Sequence, residues 1–174
     1  MNRRHALATA VSLFALRATA QNLNAPVADL AAVQGAWRGT LTYRDYSNPD
    51  RRVTLQTRLF VALLAPSELA LHYIYNDGPG KTVHGYERMA FDFANATLVW
   101  TSGYPAAKTT QNRVTSSEAR DGGRILTCER EEAGVLSRYL ISLQSKSLVL
   151  SKEEGASAAE LMFRNRYEFT RHDA

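Results

Sequence analysis

One cysteine, Cys128, is all the thiol chemistry this chain of 174 residues has. A single thiol closes no internal disulfide, so a hydrophobic core has to hold the fold. Cys128 alternates with charged neighbours on an expected strand, which points to a buried, inert thiol. Long hydrophobic runs are equally scarce. The longest, Ala6 to Leu16, is about eleven residues, well short of the roughly twenty that span a bilayer. Preceded by the basic Asn2-Arg3-Arg4-His5 and followed by the small residues Ala18-Thr19-Ala20, it reads as a secretory signal peptide over residues 1–20, with processing near Gln21. No cysteine lies near that cut to take a lipid. The expected address is periplasmic or secreted. Arg3-Arg4 partly matches a twin-arginine signal, but Ala6 stands where that pattern takes an aromatic, so Sec export is favoured. One-sided charge is the third absence. The formal net charge is +4, from 21 basic against 17 acidic residues. The leader holds three of those 21 basic residues and no acid, which leaves 18 against 17. No basic block survives on any segment, and nucleic acid is excluded as a partner class.

What is present is alternation. Residues 21–35 contain one short helix, Ala25 to Val33, with Val27, Leu30, Ala31 and Gln34 on one face. From Ala36 to Arg171 the texture is that of a single all-β domain: period-two patterning, β-branched and aromatic residues, and turn clusters every eight to twelve positions. Candidate strands are Trp37–Tyr46, Arg52–Leu63, Glu68–Tyr75, Thr82–Phe93, Thr97–Ser102, Lys108–Ala119, Arg124–Glu132, Val135–Gln144, Ser147–Lys152 and Leu161–Arg171. The short turns between them, among them Asn76-Asp77-Gly78-Pro79-Gly80, reverse the chain and make sequential strands antiparallel neighbours. A meander of this length exposes two edges unless it closes. An antiparallel up-and-down β-barrel of about 8–10 strands is therefore expected.

Alternation also assigns inner faces. Trp37, Leu41 and Tyr43, then Leu69, Leu71, Tyr73 and Tyr75, then Met89, Phe91 and Phe93 point inward; so do Val135, Tyr139, Ile141 and Leu143, and Phe163, Tyr167 and Phe169. Tyrosine is prominent among them, which suits either a hydrated ligand cavity or a core with internal hydrogen bonds. Asp45, Glu87 and Asn165 share that register. A carboxylate facing an apolar interior costs several kcal/mol unless it is paired or neutralised. Glu87 is accordingly the most informative residue: an anchor for a ligand head group, a general acid or base, or the partner of a late-strand arginine.

Gly35-Ala36-Trp37, leading from helix to strand, resembles the Gly-x-Trp entry of the lipocalins and their calycin relatives. That resemblance implies a lipocalin-like barrel in which an arginine of the last strand packs over Trp37; Arg164, Arg166 and Arg171 are the candidates. About ten strands with no helix after them resembles the ten-stranded relatives. The fatty-acid-binding proteins place a helical lid between the first two strands, for which Ser47 to Asp50 leaves no room. Nitrobindin-like haem barrels use a late histidine ligand, and the only late histidine here is His172, in the terminal tail. No cofactor is assigned.

Other motifs carry little. Gly78-Pro79-Gly80-Lys81-Thr82 has Tyr75 where a phosphate loop needs glycine, and a strand follows it. Gly155-Ala156-Ser157-Ala158-Ala159 lacks the strand-turn-helix context of a nucleophile elbow. His72 and His84 fall on one outer face but lack a third ligand, so no metal site is assigned. The expected function is binding of a small hydrophobic or amphipathic molecule, a lipid among the options, by Tyr43, Tyr73, Tyr75, Glu87, Phe91, Tyr139, Asn165 and Tyr167. Gly35, Trp37, Arg166 and Arg171 are expected to be structural. A filled barrel acting through its outer surface, or a calycin-type isomerase or hydrolase built on Glu87, are the alternatives, and no catalytic residue is assigned.

Overall fold

A computed structural model describes residues 27–103, 107–120 and 122–172. The leader and the cleavage site lie outside the described residues. A short helix, α1 (Val27–Ala32), precedes ten strands: β1 (Gly35–Arg44), β2 (Arg52–Ala65), β3 (Glu68–Asn76), β4 (Thr82–Asp92), β5 (Thr97–Ser102), β6 (Lys108–Arg120), β7 (Gly123–Glu132), β8 (Val135–Gln144), β9 (Ser147–Gly155) and β10 (Met162–Arg171). Each strand pairs antiparallel with its sequence neighbours, and β1 pairs with both β2 and β10, so the sheet is a closed barrel without edges. At the closing seam the backbones come unusually close. A Cβ added at Gly39 would lie 1.8 Å from the Glu168 carbonyl oxygen, so no larger residue fits there. Among the described residues no helix is long and apolar enough to cross a membrane.

The half of the barrel beside α1 is filled. Trp37, Leu59, Leu69, Met89, Leu98, Leu126, Ile141 and Phe169 meet inside it and are almost completely excluded from solvent. Leu30 and Val33 of the helix segment close this end from below. Arg124, itself buried, donates through Nε to Asp29 of α1 at 3.0 Å and through Nη1 to Ser117 at 2.9 Å, which ties the helix to β6 and β7. Arg171 lies over the Trp37 indole at 4.5 Å from the ring centroid. Its guanidinium donates to the carbonyls of Ser145 at 2.6 Å, Gln34 at 2.7 Å and Ala32. Gly35 leaves room for it, since a Cβ there would stand 3.0 Å from Arg171 Nη1. The indole N–H donates in turn to Val33 O at 3.0 Å.

Other arginines go elsewhere. Arg166 points outward and pairs with Glu168 at 2.8 Å, so it takes no part in packing on Trp37. Arg164 sits at the opposite end, 4.1 Å over the Tyr46 ring, because a bulge between Phe163 and Asn165 shifts the β10 register. An inserted residue also reverses the facing of what precedes it. Phe163 is therefore turned off the inner face, and Arg52 packs over its ring at 4.3 Å. Val135 keeps inner parity but begins β8 at a hairpin tip, where it is exposed. Asp45 serves the β1–β2 turn: it accepts from the Ser47 N–H and hydroxyl at 2.9 and 2.7 Å, and these bonds hold its carboxyl below the ordinary range.

Candidate functional site

The interior changes character halfway up the barrel. Tyr73 on β3, 0% exposed, stands at the boundary with its ring above Phe169 and its hydroxyl aimed at β4. There it donates to Glu87 Oε2 at 3.1 Å, and the Trp100 indole N–H of β5 donates to the same oxygen at 3.0 Å. The register brings the three together, since β3 pairs with β4 and Met89 on β4 pairs with Trp100 on β5. No arginine is among these partners. Burial pushes the Glu87 carboxyl up to about 7, an effect that the two donated hydrogen bonds only partly offset. The result is a carboxyl poised between its acid and its anion near neutral pH, held by two neutral donors.

Above Glu87 the barrel is hollow. A chamber of about 230 Å³ opens among β4 to β10, lined by Glu87, Trp100, Thr110, Arg130, Tyr139, Leu150, Lys152, Asn165 and Tyr167, with Ser102 and Lys108 at its edge. A second hollow of about 300 Å³ lies against β1 to β4, between Leu41, Tyr43, Leu55, Tyr75, Val83 and Arg164, and shares Asn165 and Tyr167 with the first. The Tyr75 and Tyr167 hydroxyls are hydrogen-bonded at 3.0 Å. Because β1 and β2 separate their strands in the barrel, this bond crosses the interior and divides the two hollows. Burial pushes the Tyr75 hydroxyl up to about 12 and raises that of Tyr167 further, so both stay protonated. Gly85 makes space for the arrangement: a Cβ there would stand 3.1 Å from the Tyr75 ring. The second hollow reaches the lower end of the size range of small-molecule sites, about 300–1,000 Å³, and the first lies just below it.

Of the eight residues expected to bind a ligand, Glu87, Tyr139, Asn165 and Tyr167 line the first chamber, and Tyr43 and Tyr75 the second. Tyr73 lies beneath, as the support of Glu87. Phe91 does not reach the site. It is stacked on Phe93 at 5.4 Å in the filled half and belongs to the core. Trp100, Lys108, Arg130 and Lys152 were not expected, and three of them are cations. Their signal is faint but present: Arg130 stands two positions after the buried Cys128 and Lys152 two after the buried Leu150, so each continues an inward series. Cys128 itself is fully enclosed, and burial pushes its thiol up to about 12.

Arg130 and Lys152 are each tethered on one side. Arg130 Nη1 donates to Glu132, whose carboxylate also lies 3.8 Å from Lys108. Lys152 pairs with Glu154, which Arg164 approaches at 3.6 Å, and its ammonium lies 5.4 Å from the Tyr139 ring centroid. Among the described residues Arg130 Nε, which is buried, has no hydrogen-bond partner.

On the outer wall, His72 Nε2 and His84 Nδ1 are 2.8 Å apart, and His72 stacks on Tyr86 at 4.5 Å. Among the described residues no group of three or more metal-ligating side chains comes together.

No family model matches the chain, and no curated protein matches it by sequence. Solved structures do match by shape. Rv2717c from M. tuberculosis superposes with a TM-score of 0.61 at 10% identity, covering 84% of this chain and 97% of its own. The S-type phycobiliprotein lyase CPES from Guillardia theta superposes with a TM-score of 0.57 at 6% identity, covering 88% of this chain and 96% of its own. At such identities the likeness is one of fold: a ten-stranded antiparallel barrel closed on itself.

Proposed function

We propose that this chain is an exported, calycin-type barrel that binds a small hydrophobic or amphipathic molecule in its open half. The observation that carries the reading is Glu87, a carboxyl anchored by Tyr73 and Trp100 at the base of a chamber inside the barrel. Burying such a group has a cost that a filled interior would avoid. An apolar body resting on Trp100, Tyr139 and Tyr167, with a polar end near Glu87 and Asn165, fits the lining. Similarity in shape to a phycobiliprotein lyase is consistent with a barrel that handles small molecules, and the apolar leader with its basic start supports export to the periplasm or beyond.

Native mass spectrometry of the protein purified from the periplasm of its own host, followed by denaturing extraction, tests both halves of the reading. A processed chain carrying a stoichiometric small molecule is the expected result. An unprocessed chain in the cytoplasm overturns the export half. A processed chain that arrives empty and takes up no apolar or amphipathic probe overturns the binding half.

One observation favours a second reading. A carboxyl pushed up to about 7 inside a cavity is suited to proton transfer at neutral pH, as an isomerase or hydrolase requires. That reading predicts that Glu87→Gln abolishes turnover of a bound substrate while leaving its affinity intact, whereas a pure binder turns over nothing in either form.

A further inference from the structure

We propose that the ligand of the first chamber is an amphipathic anion, its acidic group seated on Arg130 and Lys152 and its apolar body on Trp100, Tyr139 and Tyr167. The inference rests on the binding reading above and adds to it the charge of the ligand.

Charge complementarity carries the argument. The lining of the chamber brings two largely buried cationic side chains, Arg130 and Lys152, with the exposed Lys108 at its edge, to one acidic group, Glu87. Glu132 and Glu154 at the rim answer part of that excess, but Glu132 is shared between Arg130 and Lys108, and Glu154 between Lys152 and Arg164. Among the described residues, Arg130 and Lys152 thus each share the carboxylate they pair with. Arg130 adds a second, independent sign. Its Nε is, among the described residues, a buried donor with no partner, so the guanidinium, tethered to Glu132 through Nη1 alone, has hydrogen-bonding capacity that a planar acid could use if the side chain turned toward the chamber. Few buried polar atoms in a folded protein are left this way.

Other ligand charges fit worse. An ammonium would enter beside two like charges, Arg130 and Lys152. An uncharged molecule would remove water from Arg130 and Lys152 and return nothing to them. Glu87 does not compete for the role of anion here, because its Oε2 already accepts from Tyr73 and Trp100 on the β3–β5 side, while the cations come from β6, β7 and β9. The acid therefore has its own corner of the chamber, across from Glu87.

A matched pair of fluorescent probes separates charge from shape: 1-anilinonaphthalene-8-sulfonate, and N-phenyl-1-naphthylamine, which is the same molecule without the sulfonate. The purified protein is expected to bind the sulfonate at least about ten-fold more tightly than the neutral amine. Arg130→Gln and Lys152→Gln are each expected to weaken the sulfonate by about ten-fold and to leave the neutral probe within about two-fold. Near-ultraviolet circular dichroism checks that each variant remains packed, because loosened proteins also bind the sulfonate. A second measurement needs no variant: naphthalene-1-acetate displaces the bound sulfonate, and naphthalene-1-ethanol at the same concentration does not. Equal binding of the two probes, or equal displacement by acid and alcohol, overturns the anion while leaving a binding barrel in place. If neither probe binds, the binding reading itself fails.

Discussion

Glu87 holds its proton more tightly in the folded barrel than in an unfolded chain, because burial outweighs the two hydrogen bonds that favour its anion. The consequence for stability has a definite sign. Its carboxyl lies near 7 when folded, against the ordinary 4.5 that the open chain is expected to keep. Between those values the folded state carries a proton that the unfolded state has released. The contribution is therefore fully present below about pH 4.5 and is lost as pH rises through 7, reaching about 3 kcal/mol at alkaline pH. Glu87→Gln removes the titrating group while its amide oxygen still accepts from Tyr73 and Trp100. Urea unfolding at about pH 4.5 and about pH 8.5 is expected to show the wild type losing about 3 kcal/mol more than the variant over that interval. Equal losses in both proteins would mean that Glu87 is solvated and ordinary.

At the scale of the element, the first and last pieces of the chain are joined by one side chain. Arg171 on β10 covers the Trp37 ring on β1 and donates to carbonyls from the α1 end, from Gln34 and from the β8–β9 turn. These groups are distant in sequence, so the contact gains most of its value from closing the barrel. Arg171→Met keeps an apolar stem over the indole but leaves three carbonyls without their donor. A loss of about 2–3 kcal/mol is expected in urea unfolding. Arg171→Lys is expected to recover less than half of it, because a single ammonium does not reach three carbonyls arranged around a planar fork. Full recovery by lysine would reduce the contact to simple charge. The ten strands are legible from the sequence, since they depend on local alternation and turn residues, whereas an arginine of the last strand over Trp37 is what the lipocalin resemblance implies, with Arg171 one of its three candidates. What alternation does not convey is height along the barrel axis, which strand stagger determines. Phe91 and Glu87 share an inner face, yet one is packed in the filled half and the other lies under the cavity. Nor does it convey the bulge at Arg164, which turns Phe163 outward. Arg130 and Lys152 escape a hydrophobic reading for a simpler reason: they are cations at inward positions, where the pattern leads one to look for apolar residues.

The whole molecule divides into a filled half that fixes the geometry and an open half that is hollow at the cost of leaving polar groups inside. Glu87 is at the boundary, so its protonation state reaches the contents of the chamber. It is faced there by Tyr73, Tyr75 and Tyr167, whose hydroxyls are raised by burial and stay neutral, by Trp100, by Lys108 two strands away in register at the edge, and by Arg130 and Lys152 from β7 and β9, with Glu132 and Glu154 at the rim. Between about pH 6 and 8.5 the group whose carboxyl lies near 7 gains a negative charge inside a poorly solvated space. That charge stands across the chamber from the seat of the acid and repels an anionic ligand through a space that water screens poorly. The affinity of 1-anilinonaphthalene-8-sulfonate is accordingly expected to fall by about ten-fold across this interval, with its midpoint near 7, while that of the uncharged N-phenyl-1-naphthylamine changes little. In Glu87→Gln the sulfonate profile is expected to be flat at its acid-side value. A fall of the same size in the variant would place the responsible group elsewhere, and a flat profile in the wild type would mean that Glu87 and the bound anion do not sense each other across the chamber.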